Sequence, residues 1–357
     1  MANAYNIASL DIGFFNLKGA KTTATTVEGL RDRVISENPP EDVDLELFLL
    51  PAGACPVRDL PHSFGTKIGG QTVKVNGELW QGGIDYGLTP NIEKDYSDAY
   101  KHTPEWKALL FTGLKCIGYK TIDCLVLGLP CEEYYKHPEA VNDVVNLAKG
   151  VHEVDDELTV EVKHVIVMAQ PLGSFHGYYL AEIDELKRKI LKKSITVVAD
   201  PGYGTFDYVV INKGEHVLHH SAGSTRKSIR AVCLETERLL KLKHPGLTLA
   251  PNDIENCIVS NDWEILVDKK LVNIRDSFKK AADTVGKAAF KHMRTALSTN
   301  NIKPQMCILT AGGAPIFESI ALEESGADEL LTSSYSIYLN VFGYLYEAIN
   351  SKENNVW

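Results

Sequence analysis

The chain has 357 residues and a net charge of −10, which argues against a broad DNA-coating surface, because neutralising phosphates needs clustered Lys and Arg. The length suggests two domains, and the hydrophobic fraction of 44% is that of an ordinary globular protein. Seven cysteines without a Cys-x-x-Cys pair indicate reduced thiols rather than a disulfide framework. With neither a signal-peptide pattern nor an apolar run of membrane-spanning length, we expect a cytoplasmic protein that makes no membrane contact.

The first predicted elements are two strands around a glycine turn. Residues 5–12 form an apolar run, Gly13 follows it, and an alternating run continues over 16–23. The region 24–65 has the least regular pattern of the chain and includes Pro39-Pro40, so it predicts loops and an inserted subdomain.

Residues 73–193 predict a hairpin followed by helices and strands. Asn76-Gly77 suits a type I′ turn between alternating residues, which predicts a hairpin over 73–80. A Thr cap and a Pro at the first position start a predicted helix over 103–119. The other elements predicted here are a buried strand at 121–130, a short helix at 138–148, one bent strand or two strands at 158–171, and a charged amphipathic helix at 180–193.

The opening pattern then returns about 190 positions later. The sequence SITVVADPGYGTFDYVVI (194–211) again predicts a strand, a Gly-rich turn and a strand. The elements predicted after it are helices at 225–242 and 276–297, a strand within 305–315 that runs into a Gly-Gly turn, and a closing helix within 333–349. The two halves are therefore expected to share one layout.

The first glycine turn has residue types suited to phosphate chemistry. A hairpin with Gly13 at its bend can turn successive backbone N–H groups toward an anion. Asp11 at the strand end could hold a hydrated Mg²⁺, and Lys18 on the return strand supplies a positive charge. Taken alone, this pattern is more typical of a plain hairpin with an Asp and a Lys on its surface.

Two further elements match the first turn. The run from Asp200 to Asp207 has a strand-end acid, two glycines and the hydroxyl of Thr205, so two such turns could hold phosphates from both sides. At ILTAGGA (308–314), Gly312-Gly313 would let a flat adenosine group approach the backbone. No G-x-x-x-x-G-K-[ST] sequence is present, which excludes a P-loop protein.

The order and spacing of these elements resemble the actin-like ATPase superfamily, and within it the plasmid-segregation actins of the ParM/StbA group. The resemblance implies an α/β fold, with two ribonuclease-H-like α/β domains flanking a nucleotide cleft and small inserted subdomains. The segments that carry the narrower similarity are DIGFFNLK (11–18), VNGELWQGGIDY (75–86), YSDAY (96–100), ALLFTGL (108–114), LGLPCEEYY (127–135), VIVMAQP (165–171) and YSIYLNVFGYL (335–345).

The resemblance assigns roles to residues of this sequence. Asp11 and Asp200 would organise Mg²⁺, Lys18 would contact the β- and γ-phosphates, and Gln170 would orient the attacking water. Asp207 is a second candidate for that water or for the metal. The remaining expected contacts are phosphate contacts from Gly13, Phe14, Phe15, Asn16, Gly202, Tyr203, Gly204 and Thr205, and an adenosine site at Gly312, Gly313 and Ala314.

Some residues depart from the family pattern or have a plain structural alternative. Phe14 and Phe15 replace the usual small hydroxyl residues, Pro201 removes one backbone donor, and Gln170 stands where ParM has an acid. Gln170 could also be an ordinary strand-end residue, and Asp207 could simply begin an exposed strand.

The resemblance also implies a function and a domain organisation. It predicts an ATP hydrolase, with GTP as an alternative nucleotide, that polymerises head to tail and segregates DNA indirectly through a small basic adaptor of the ParR type. Domain I would comprise 1–193 and 336–357, with an insert over about 24–105, and domain II would comprise 194–335. The alternatives are a small-molecule kinase, with Asp207 as its base, and a non-polymerising ATP-dependent switch.

Overall fold

The structure is a computed structural model that describes residues 5–35, 44–62, 68–89, 97, 99–221, 224–249, 253–267 and 269–357. Its strands are β1 (Ile7–Ile12), β2 (Asn16–Thr22), β3 (Leu45–Pro51), β4 (Gly53–Pro56), β5 (Gln71–Val75), β6 (Glu78–Ile84), β7 (Thr121–Leu129), β8 (Gly150–Glu153), β9 (Thr159–Ala169), β10 (Ile195–Pro201), β11 (Phe206–Asn212), β12 (His216–His220), β13 (Glu264–Val267), β14 (Lys270–Asn273), β15 (Met306–Leu309) and β16 (Glu329–Leu331). Its helices are α1 (Val27–Ile35), α2 (Pro104–Ile117), α3 (Cys131–Lys136), α4 (Pro138–Ala148), α5 (Gln170–Ala181), α6 (Glu185–Leu191), α7 (Ile229–Lys243), α8 (Asp253–Ser260), α9 (Arg275–Thr299), α10 (Ala314–Glu324) and α11 (Leu339–Glu353).

Two sheets of related topology form the framework. The first has the strand order β3-β2-β1-β7-β9-β8 and the second has the order β12-β11-β10-β15-β16. In each sheet three antiparallel strands are followed by two strands that run parallel to the first strand of that half, and in the first sheet β8 adds an antiparallel edge strand. The predicted internal repeat is therefore present in the backbone, and the acid-bearing strands β1 and β10 occupy equivalent places.

Local sequence signals account for several elements. Asn76 and Gly77 both have positive φ, as a type I′ turn requires, and they join β5 to β6. The Thr103 hydroxyl accepts a hydrogen bond from the Trp106 N–H, and Gly118 ends the same helix in the left-handed conformation. These signals place α2 between β1 and the small sheet β4-β6-β5.

The structure differs from prediction around residues 158–193. Within the run 158–171, Thr159–Ala169 forms the single strand β9, which is the one-strand alternative of the prediction, and α5 begins directly after it at Gln170. The predicted helix at 180–193 is limited to α6, because Asp184 caps a new helix by accepting hydrogen bonds from Leu186 and Lys187 N–H. The helix α5 escaped prediction because it is buried on several sides and has no polar stripe.

The region 24–65 is also more regular than expected. The helix α1 packs beside α5 and α11, and β3 pairs along its whole length with β2 in the first sheet. The predicted loops are therefore replaced by a helix, an edge strand of the main sheet and β4. The described part of the chain does not include residues 36–43, which contain Pro39-Pro40, or residues 63–67. It also does not include residues 90–96 and 98 of the predicted insert over about 24–105.

Two helices cross directly beneath the cleft. A Cβ on Gly343 of α11 would collide with the backbone of Gly173 in α5, and a Cβ on Gly177 would collide with the Leu339 carbonyl. These close approaches need glycine and fix α5 against α11. The crossing places Gln170, at the start of α5, and Asn340, in the first turn of α11, beside the end of β1. Within the described ranges, no helix combines the length and hydropathy needed to cross a bilayer.

Candidate functional site

One cleft lies where the two sheets meet, and it collects most of the predicted site residues. The turn after β1, the turn after β10 and the turn between β15 and α10 all open into it. Predicted residues that line it are Asp11, Gly13, Phe14, Phe15, Asn16, Lys18, Gln170, Asp200, Gly202, Tyr203, Gly204, Thr205, Gly312 and Gly313. Asp207 and Ala314 are buried close by and are not among the lining residues.

Asp11 is at the centre of a buried hydrogen-bond network. Lys18 lies directly opposite it on β2, and its Nζ is 2.6 Å from Asp11 Oδ2. Asn340 Nδ2 donates to the same oxygen at 3.1 Å, and Gln170 Nε2 donates to Oδ1 at 2.9 Å. Since both carboxylate oxygens have donors, Asp11 is held in one orientation, and it holds Lys18 and Gln170 in turn.

Asp200 is the corresponding acid of the second hairpin, and its electrostatic environment is different. Burial raises the pKa of Asp200 to about 7, and the carboxylates of Asp11 and Asp207 add to this shift. Lys18 and a hydrogen bond from Asn340 act in the opposite direction. Near neutral pH this acid is therefore close to its titration midpoint, which is typical of functional sites.

Asp207 lies opposite Asp200 in the β10–β11 ladder and is buried, and it is not among the residues that line the cleft. Its carboxylate accepts hydrogen bonds from the Thr205 hydroxyl at 2.6 Å and the Ser221 hydroxyl at 3.1 Å. Burial raises the pKa of Asp207, while these two hydroxyls oppose the shift. These hydrogen bonds connect Asp207 to Thr205 in the second turn and to Ser221 after β12.

Several cleft residues were not predicted from the sequence. Asn340 accepts a 2.5 Å hydrogen bond from the Ser174 hydroxyl, which also contacts the Thr310 hydroxyl at 2.7 Å. The Asp11 carboxylate is thereby connected through Asn340 to α5 and to the end of β15. A polar residue within the otherwise apolar segment YSIYLNVFGYL was the available signal for Asn340.

A second buried ion pair lines the cleft wall. Lys101 Nζ lies 2.6 Å from Glu133 Oε2, and both side chains are almost fully buried. Glu133 belongs to α3, whereas Lys101 belongs to a short 3₁₀ turn before α2. The pair therefore joins two separate segments of the first half at the side of the cleft.

The third predicted element forms an apolar slot. Gly313 lies so close to the Pro201 carbonyl that a Cβ would collide with it, so only glycine fits here. Ile229, Ile258 and Ile316 also line the cleft, and Ile229 lies next to Gly313. Apolar walls are suited to a flat aromatic base, and the adenosine position stays a prediction. Two basic residues near the start of α7, Lys227 and Arg230, are not among the lining residues.

The donor set suits a magnesium ion that is shared with a phosphate ligand. Asp11 and Asp200 provide hard oxygen donors in one cleft, and a divalent cation would offset the cost of keeping both ionised. No group of three or more His, Cys, Asp or Glu side chains forms a metal cluster among the residues that the structure describes. Mg²⁺ commonly binds through one or two carboxylates together with water and phosphate oxygens, so the residues present fit it.

Comparisons with known proteins agree with this geometry. Residues 9–173 match the family described as "Actin like proteins N terminal domain". No curated protein sequence matches the chain. The apo psk41 ParM protein is 16% identical, with a TM-score of 0.63 over 99% of this chain and 100% of that one.

Two other solved structures are similar over nearly the whole chain. A 15-stranded ParM filament from Clostridium botulinum is 14% identical, with a TM-score of 0.68 over 98% of this chain and 100% of that one. An archaeal actin homologue in complex with ADP is 14% identical, with a TM-score of 0.62 over 97% and 100%. The protein therefore has the actin-like fold, and its N-terminal part matches the actin-like N-terminal domain. The predicted fold class and the resemblance to the ParM group are confirmed.

Proposed function

We propose that the protein binds Mg-ATP in this cleft, hydrolyses it, and assembles head to tail into filaments whose stability depends on the nucleotide. GTP is the alternative nucleotide. The observation that carries the proposal is the meeting of two equivalent hairpins, whose end acids Asp11 and Asp200 share one cleft with Lys18 and Gln170. Within an actin-like fold, that arrangement is suited to holding a polyphosphate between two domains.

Each side chain has a distinct role in the proposed reaction. Lys18 provides a positive charge for the phosphates, and its position is fixed by Asp11. The Gln170 amide donates to Asp11 through Nε2, which fixes its Oε1 as an acceptor for the attacking water. A bound Mg²⁺ would neutralise developing negative charge on the phosphates, and Asp200 together with Asp11 would hold it.

The link from hydrolysis to filament turnover is a domain movement. Nucleotide between the two hairpins would favour a closed arrangement of the halves, and a subunit shape selected in this way can favour assembly. Head-to-tail contacts that do not close into a ring give helical filaments. Support comes from the filament form of the ParM relative from Clostridium botulinum.

We further propose that the filament segregates a DNA replicon through a small basic adaptor of the ParR type. The chain's net charge of −10 favours such an adaptor, since direct binding would place an acidic surface against phosphates. The kinase alternative gains no support, because its expected base, Asp207, is not among the residues that line the cleft, and its carboxylate already accepts hydrogen bonds from Thr205 and Ser221.

The test measures light scattering, pelleting and phosphate release after addition of Mg-ATP, Mg-GTP or a non-hydrolysable ATP analogue. We expect wild type to assemble with ATP, to persist longer with the analogue, and to release phosphate. Asp200→Asn should lose phosphate release, whereas Asp283→Asn, an exposed acid paired with Lys287 on α9, should retain it. Phosphate release without scattering at any concentration would refute the polymer and favour a non-polymerising switch.

A further inference from the structure

Two aromatic side chains of the first turn contact the second turn. The ring of Phe14 lies against Gly204, where an added Cβ would collide with the ring. Phe15 stacks on Tyr203, with ring centroids 5.0 Å apart and an angle of 26° between the planes. The two turns that face each other across the cleft are therefore joined by aromatic contacts.

Each contact is anchored in the body of its own half. Phe14 packs against the core formed by the first sheet and α2, and its ring centroid is 5.1 Å from that of Tyr100. Tyr203 packs against the core of the second half, and its hydroxyl donates to Glu255 of α8. Moving the two turns apart would therefore separate groups that are fixed on both sides.

The glycine at position 204 supports a specific contact with Phe14. Its φ lies outside the left-handed range, so its backbone conformation alone does not require glycine. The collision that a Cβ would cause is with the Phe14 ring, which explains why a residue without a side chain stands there. Phe14 and Gly204 thus fit each other as a matched pair across the cleft.

We propose that Phe14 and Phe15 form an aromatic clasp that sets nucleotide specificity by disfavouring a third phosphate. This inference rests on the proposed nucleotide binding. A terminal phosphate held from both sides must enter between the two turns and separate Phe14 from Gly204. A diphosphate leaves this contact in place, so only the triphosphate loses the contact energy, and its affinity falls relative to that of the diphosphate.

The contact itself is tested first, in the absence of nucleotide, by a double-mutant cycle on the melting temperature. Gly204→Ala should lower Tm by about 2–8 °C, because the ring must shift to make room. The same change should cost little in a Phe14→Ala background. Gly312→Ala is the matched control, since an added Cβ meets nothing within 4 Å at that cleft position. Additive effects of the two changes would overturn the clasp.

The specificity is tested by titrating Mg-ADP and the Mg complex of the imido analogue of ATP into wild type and Phe14→Ala. The ratio of Kd for the triphosphate to Kd for the diphosphate should fall about two- to tenfold in the variant, as expected for loss of one aromatic contact. Phe15→Leu, which removes the stack on Tyr203, provides a second variant if Phe14→Ala does not fold, and the same direction is expected.

The outcomes separate this inference from the function on which it rests. Binding of both nucleotides with an unchanged ratio in Phe14→Ala and Phe15→Leu overturns the clasp and leaves the proposed nucleotide site intact. If neither ATP nor GTP analogues nor their diphosphates bind wild type or the variants, the proposed function fails and this inference fails with it.

Discussion

The two acid-bearing hairpins have one backbone plan and opposite electrostatics. In the first, the residue across the ladder from Asp11 is Lys18, and in the second, the residue across from Asp200 is Asp207. The first acid is therefore neutralised by its own hairpin, whereas the second is buried next to another acid, with a pKa raised to about 7 mainly by burial. The duplicated backbone thus presents an ion pair from one side of the cleft and a buried acid with a raised pKa from the other.

Among the changes to the two hairpins, removal of the positive charge of Lys18 should change the free energy of unfolding the most. Lys18→Met leaves Asp11 buried without a positive partner, so we expect the free energy of unfolding to fall by roughly 3–5 kcal/mol. This change in the free energy of unfolding is measured by urea unfolding at pH 7.5 without nucleotide. In the double variant with Asp11→Asn most of the loss should be recovered, because neither charge of this ion pair remains.

A control for this change lies three residues along the same strand. Lys21 pairs with Glu46, whose side chain is 66% exposed, so Lys21→Met should cost no more than about 1 kcal/mol. Equal losses of stability for Lys18→Met and Lys21→Met would contradict the claim that the buried Asp11 depends on the charge of Lys18.

The acid of the second hairpin should make the stability of the folded protein depend on pH. Because the pKa of Asp200 is about 7 in the folded protein against 3.8 as its ordinary value, the folded state holds more protons between these values and loses stability as pH rises. Asp200→Asn removes this titration. The free energy of unfolding of Asp200→Asn minus that of wild type should be up to about 4 kcal/mol larger at pH 8 than at pH 4.

Asp155 provides a comparison of opposite sign. Lys115 holds the pKa of Asp155 below its usual range, so this acid stabilises the folded state above its ordinary pKa and the contribution is lost as pH falls. Asp155→Asn should therefore be destabilising at pH 8 and nearly neutral at low pH. Urea titrations at a series of pH values test both variants, and parallel profiles for wild type and Asp200→Asn would refute the shifted pKa.

Local patterns were sufficient for most of the framework but not for the assembly of the site. The glycine turns, the Asn76-Gly77 hairpin and the capped helix α2 each depend on neighbouring residues, so their sequences predicted them. The partnership of Asn340 with Asp11 joins residues 329 positions apart and depends on how α11 crosses α5. The strand β3 was missed because its edge position leaves a mixed burial pattern without clear alternation.

Asn340 contacts the acids of both hairpins. Its replacement should have a smaller effect on stability than removal of a buried charge from either hairpin, and it tests how the two acids are connected. Its amide donates to Asp11, and its hydrogen bond to Asp200 lowers the pKa of that acid. Asn340→Ala should cost about 1–3 kcal/mol by removing hydrogen bonds from buried groups, and it should move the pH midpoint of the Asp200 titration upward. Asn350→Ala, the same change further along α11, should leave that midpoint unmoved, since Asn350 contacts Asn354 at the far end of the helix. A loss of stability with no movement of the midpoint would make Asn340 a packing residue only. A shift of the midpoint would identify it as the group that transmits changes in one hairpin to the acid of the other.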